Sequence, residues 1–199
     1  SQIKFGGEAE ETNESFISLF KTLLLALLGI YFTLILLFNS LSQPLIVIFT
    51  IPFSAIGVIA AFAVHNQDLG FMSFLGSIGL TGIVVNDALI LVSHINNLRE
   101  RHPETNLLKL VAQGTADRFR ALLLTTLTTV VGIIPLAYGI GGSDPFIAPM
   151  GLALGYGLAF STPLIMILVP SFYMIQNDIK HTVIPGILNL PRRLLKRKA

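Results

Sequence analysis

The chain has 199 residues, of which 53% are hydrophobic and only 12% charged, with a formal net charge of +2 and a mean hydropathy of +0.76. This composition excludes a solvated domain and a nucleic-acid binder and marks an integral membrane protein. Cysteine is absent, which excludes disulfides, thiolate metal sites and thiol catalysis.

The opening residues carry acids at Glu8, Glu10, Glu11 and Glu14 and read as the end of an extramembranous domain running into a helix. No secretory leader pattern is visible, and the chain reads as a piece of something longer. A spanning helix needs about 20 mostly apolar residues. Five stretches meet that length: 17–38, 44–64, 69–95, 119–140 and 146–175. Residues 15–176 are therefore expected to form an all-α, polytopic membrane bundle of five transmembrane helices. Short polar turns at 39–43 and 65–68 and a Gly-rich loop at 139–145 suit antiparallel neighbours.

One connector is longer. Residues 96–118 group Leu107, Leu108, Leu110 and Val111 on one helical face, with Pro103 near the start. The pattern predicts a short amphipathic helix on the membrane surface or, alternatively, an ordinary connector. Residues 177–199 form a basic tail that fits either an anionic leaflet or a plain stop signal.

Eleven of the thirteen Lys and Arg residues lie in the 96–120 region or the tail. Positive charge is retained on the cytoplasmic side, so both segments are expected there and the acidic N-terminal stretch outside.

The chemistry centres on the third stretch, where Asn86 and Asp87 stand in an apolar run. At 1.5 Å per residue Asp87 lies about 7.5 Å past the span's midpoint, too deep for a short side chain to reach the interface. Acids at that depth usually face a bundle interior or a wet cavity and mark ion or proton paths. The alternative is a neutral acid that joins helices by hydrogen bonding. Gly79, Gly82, Asn86, Ser93 and Asn97 share a stripe beside a line through Asp87 and His94, a face not expected to meet lipid. His94 reads as interfacial rather than as a relay member.

On the fourth stretch Arg118, Thr125, Thr129 and Gly132 form a second polar stripe, with Thr126 and Thr128 beside it. Threonines in membrane helices also serve as packing residues that bond back to the i−4 carbonyl, and Arg118 also reads as a topogenic charge at a helix entry. Pro52, Pro135, Pro163 and Pro170 fall inside apolar runs, where they free carbonyls or kink helices. No P-loop, paired metal-ligand spacing or nucleophile elbow occurs, so the chain is not expected to be an enzyme.

Several segments together carry a resemblance: residues 7–11 (GEAEE), 40–45 (SLSQPL), 51–57 (IPFSAIG), 79–88 (GLTGIVVNDA), 118–126 (RFRALLLTT), 135–137 (PLA) and 151–170. In this order and spacing they resemble the C-terminal membrane portion of resistance-nodulation-division (RND) efflux pumps, over about residues 6–176. The resemblance implies half of a pseudo-repeated transporter membrane domain in the bacterial inner membrane, with the five stretches standing for its eighth to twelfth helices. Residues 1–14 would end a periplasmic domain and 96–118 would be the cytoplasmic connector. The implied function is proton-driven export powered by the proton-motive force, with no cofactor. The implied partners are the lipid bilayer, the N-terminal half, two further copies in a homotrimer, a periplasmic adaptor and an outer-membrane channel. Asn86, Arg118 and Thr125 would be polar partners of a proton relay. Drug-exporting members commonly carry lysine where Asn86 stands, a departure that makes the neighbouring Asp87 a candidate proton carrier. Competing functions are a protein-export accessory subunit of related fold and a non-transporting membrane scaffold.

Overall fold

The computed structural model describes residues 7–140, 142, 144 and 146–180, with side chains from residue 14 onward. Most of the basic tail, residues 181–199, and the acids before Glu14 lie outside the described side chains. Five helices follow one another: α1 (Gly7–Phe38), α2 (Gln43–His65), α3 (Phe71–Arg101), α4 (Leu107–Tyr138) and α5 (Ala148–Asp178). All five are long and apolar enough to cross a membrane, and no strand occurs among the described residues. The expected all-α membrane bundle is therefore the architecture observed.

Three of the five helices, α1, α2 and α4, stop where the sequence supplies a residue that tolerates a left-handed backbone. Asn39 after α1 has φ of 47°, Asn66 after α2 has φ of 50°, and Gly139 after α4 has φ of 67°. Asn and Gly are the residues that adopt this region at least cost. The amide of Gly139 is then free to bond Pro135 O, closing the last turn.

The 96–118 segment differs from the surface helix expected of it. α3 continues to Arg101 and α4 begins at Leu107, leaving a link of only five residues, 102–106. His102 stands before Pro103, whose ring disfavours helix at the preceding residue, so α3 ends there. Asn106 restarts the chain as N-cap, its side-chain oxygen accepting the Leu108 amide at 2.9 Å. Part of the apolar face read as membrane-binding packs on the protein: Leu107 does so partly, while Leu108 stays exposed. Leu110 and Val111 are buried, and a Cβ at Gly114 would lie 3.0 Å from Ile95. The periodicity was real; α3 receives its Gly114 side.

α5 is the hub, packing against α2, α3 and α4, whereas α1 touches α2 and little else. The core joins Val84, Ala88, Leu91 and Ile95 of α3 to Leu158, Ile165, Val169 and Tyr173 of α5 and Val47, Val58 and Phe62 of α2. Glycines let the backbones close: a Cβ at Gly76 would come within 2.7 Å of Met150 O on α5. All four prolines read from the sequence lie inside continuous helices, Pro52 in α2, Pro135 in α4, and Pro163 and Pro170 in α5.

Candidate functional site

α3 and α4 are antiparallel neighbours, and their register is set by Gly114 against Ile95 and by His94 facing Asp117. From that fixed point the polar positions divide by the 100° step between consecutive helical residues. Asp87 turns inward and is 4% exposed, whereas Asn86 is exposed. On α4, Thr126 turns inward, 6% exposed, whereas Thr125 is exposed.

The inward threonine has a defined partner. Thr126 and Thr162 of α5 share a buried hydroxyl–hydroxyl bond of 2.8 Å, and Thr162 also donates to Leu158 O at 3.1 Å. This is the helix-packing role weighed for Thr126. Thr125 donates to Ala121 O at 3.0 Å and Thr128 to Leu124 O at 2.9 Å, the back-bonding expected of hydroxyls within a helix.

Asp87 has no hydrogen-bond or ion-pair partner among the described residues, although Val84, Ala88 and Leu91 around it on α3 are fully buried. Arg118 is partly buried, and its Nε is a buried side-chain nitrogen with no partner among the described residues. Buried polar atoms are nearly always bonded, so an orphan marks a place where something further is to be accommodated. No hydrogen bond or ion pair joins any two of Asn86, Asp87, Arg118 and Thr125 among the described residues. The five helices thus place the four candidates on two adjacent helices without wiring them together.

The stripe read as interior is split in the same way. Gly76 meets α5 and a Cβ added at Gly79 would lie 3.4 Å from Leu154, but Gly82 and Gly132 open onto space with nothing within 4 Å of an added Cβ. Gly82, Asn86, Thr125 and Gly132 therefore lie on outward faces of the five helices rather than in their core.

Three polar pairings escaped sequence reading. His94 Nε2 lies 3.2 Å from Asp117 Oδ2, bridging α3 and α4 where an interfacial histidine was expected. At the same end of α3, Asn96 exchanges two amide bonds with Gln43, of 3.0 and 2.8 Å, and accepts from Tyr173 OH at 2.7 Å. At the opposite end, His65 bonds Ala61 O and Tyr138, and Tyr138 bonds Tyr156, joining α2, α4 and α5. Amides and aromatics at helix ends were the only available signal. No group of three metal-binding side chains is found among the described residues.

Comparison with known proteins places this arrangement in a wider series. The family model described as "AcrB/AcrD/AcrF family" matches residues 1–177. The chain is 30% identical to "Swarming motility protein SwrC" of Bacillus subtilis over 86% of its own length and 16% of that protein. It is 28% identical to "Protein HelA" of Legionella pneumophila over 87% of its length and 16% of that protein. Among solved structures, the one titled "X-ray crystal structure of a heavy metal efflux pump, crystal form II" superposes with a TM-score of 0.72 at 26% identity, covering 86% of this chain and 16% of that one. The chain thus spans about a sixth of the length of the relatives it matches.

Proposed function

Since the chain belongs to the AcrB/AcrD/AcrF family of RND efflux pumps, we propose that it is the membrane segment of a proton-driven exporter and supplies part of the proton relay. The observation that carries this reading is the pairing of a buried, unpartnered Asp87 with an outward polar face at mid-helix depth. A carboxyl in the hydrocarbon region is costly, and its retention is explained if water or a proton donor reaches it during a cycle. Asn86, Arg118 and Thr125 would then complete a polar interior with groups from the N-terminal half of the pump, across the open face.

In this reading Asp87 takes up and releases the proton, and no step forms or breaks a covalent bond other than that O–H. The Arg118 guanidinium, always charged, stabilises the ionised carboxylate when the helices bring it closer. Asn86 and the Thr125 hydroxyl supply hydrogen bonds that persist through both states. Movement of α4 against α3 would couple the proton to the rest of the machine. The chain catalyses no chemical reaction of its own; the transmembrane proton gradient is the energy source.

The same proposal puts the chain in a bacterial inner membrane, with the 102–106 link and the basic tail in the cytoplasm. It also makes the working unit a homotrimer served by a periplasmic adaptor and an outer-membrane channel. The test is proton flux in proteoliposomes containing the intact protein under an imposed pH gradient. Substrate-dependent flux abolished by an uncoupler is expected. Export that continues unchanged without a proton gradient would sink the reading. A cysteine placed at Asn106 should resist an impermeant thiol reagent in spheroplasts, and ready labelling there would reverse the orientation.

A further inference from the structure

Four helices end together around a second polar feature, remote from Asp87. Between the C-terminus of α1, the start of α2 and the C-terminal turns of α3 and α5 lies a cavity of about 240 Å³. Arg99 and Lys180 line it, and no Asp or Glu does.

The cavity's hydrogen-bonding groups are committed in one sense. Tyr173 OH and the Gln43 amide both donate to Asn96 Oδ1, and the Gln43 carbonyl accepts in return from Asn96, so the acceptors at its base are already used. Arg99 spends one Nη on Asn177 Oδ1 at 3.1 Å. A guanidinium has five donors, and a side-chain amide whose oxygen is occupied still has two N–H bonds to give. Gln176 Nε2 is spent on Ser42 Oγ at 2.6 Å, so what remains toward the space is two cations, the further guanidinium N–H groups and the Asn177 amide N–H groups, beside the oxygens of Asn39 and Gln176 and with no carboxylate. Such a set is matched by a group with several acceptor oxygens and negative charge. Phe38 at the rim adds an apolar wall where α1 leaves the membrane.

We propose that this cavity holds the phosphate of an anionic phospholipid headgroup. The lipid source follows from position: the cavity opens where α1, α3 and α5 reach the ends of their apolar lengths, at headgroup level on the cation-rich end of the bundle. A bound phosphodiester would tie α1, which has few other contacts, to α3 and α5. Near an anionic surface each Lys or Arg strengthens attraction, and a bidentate Arg adds geometric fit to charge. The inference is independent of transport, because none of these residues belongs to the proposed proton relay.

The test uses the intact protein carrying Phe38→Trp, with emission taken as the difference from the parent. Vesicles contain brominated phosphatidylglycerol or brominated phosphatidylcholine as quencher. Phosphatidylglycerol is expected to quench in clear preference, and Arg99→Gln and Lys180→Gln should each lower that preference about fivefold. Lys180 is exposed, so its substitution leaves the measurement available even if Arg99→Gln fails to fold. Equal quenching by the two lipids, or a preference unchanged in the Lys180→Gln protein, overturns the site. Loss of the preference on adding dissolved inorganic phosphate alone, at matched ionic strength, would make the free anion the occupant and overturn the lipid assignment.

Discussion

Asp87 and Thr126 face into the five-helix bundle, and their immediate neighbours Asn86 and Thr125 face out of it. One residue step on each helix separates a buried position from an exposed one. The inner side of the bundle is closed by α5, whose Thr162 satisfies Thr126 and whose backbone comes close enough to exclude any side chain at Gly76. The outer side has no such cover: Gly82 and Gly132 look onto empty space, and polar groups line it at a depth where lipid offers no hydrogen bonds. The difference teaches that this chain accounts for Thr126, through Thr162, but not for Asp87 or the outward Asn86 and Thr125, which find no partner on another helix among the described residues.

That comparison can be broken in several places. The largest effect is expected at Asp87→Asn in the intact protein, which keeps size and hydrogen bonding but removes the titrating proton. Coupled proton flux should fall roughly 100-fold, the usual scale for a positioned proton carrier. Full flux with unchanged pH dependence would make Asp87 a packing residue. Next comes Arg118→Ala, expected to reduce export roughly tenfold through loss of charge-assisted bonds while assembly measured by size exclusion stays intact. Parent-level export would leave Arg118 a topogenic charge only.

The two glycines sharpen the contrast between faces. Gly76→Val should destabilise by about 1–3 kcal/mol in thermal melts, because the added carbons would meet the α5 backbone. Gly82→Leu probes the other side. If the N-terminal half covers that face, export should drop; if lipid covers it, the variant should behave like the parent. The smallest effect is expected at Thr126→Val, whose lost bond to Thr162 should cost about 0.6 kcal/mol of stability with export almost unchanged, whereas Thr125→Ala should lower export more. A larger export loss at Thr126 than at Thr125 would reverse the assignment of inner and outer roles.

Much of this was legible in the sequence because membrane helices announce themselves by length and hydropathy. The five spans, their order, and the turns at Asn39, Asn66 and Gly139 follow from local chemistry. The 96–118 segment stayed open between a surface helix and a connector because amphipathic periodicity shows that a helix has an apolar face but not whether protein or lipid receives it. Only the close approach of Gly114 to Ile95 decides that. Asp87 could be singled out from its depth, yet its separation from Asn86 into opposite environments depends on which way α3 rotates against α5. Neither spacing nor composition specifies that rotation. The Gln43–Asn96–Tyr173 network joins residues far apart in the chain, so the amides and aromatics at helix ends gave no indication of which would pair.

The account's central claim is that the face bearing Asn86 and Thr125 is a covered interior rather than a lipid surface. The chain has no cysteine, so a nitroxide can be placed at Asn86→Cys and, for reference, at Leu37→Cys on the exposed surface of α1, after removal of any cysteines elsewhere in the intact protein. Electron paramagnetic resonance would read collisions of each label with oxygen, which concentrates in lipid. The account predicts low oxygen accessibility at position 86 against high accessibility at position 37. Equal, lipid-like accessibility at both positions would contradict it.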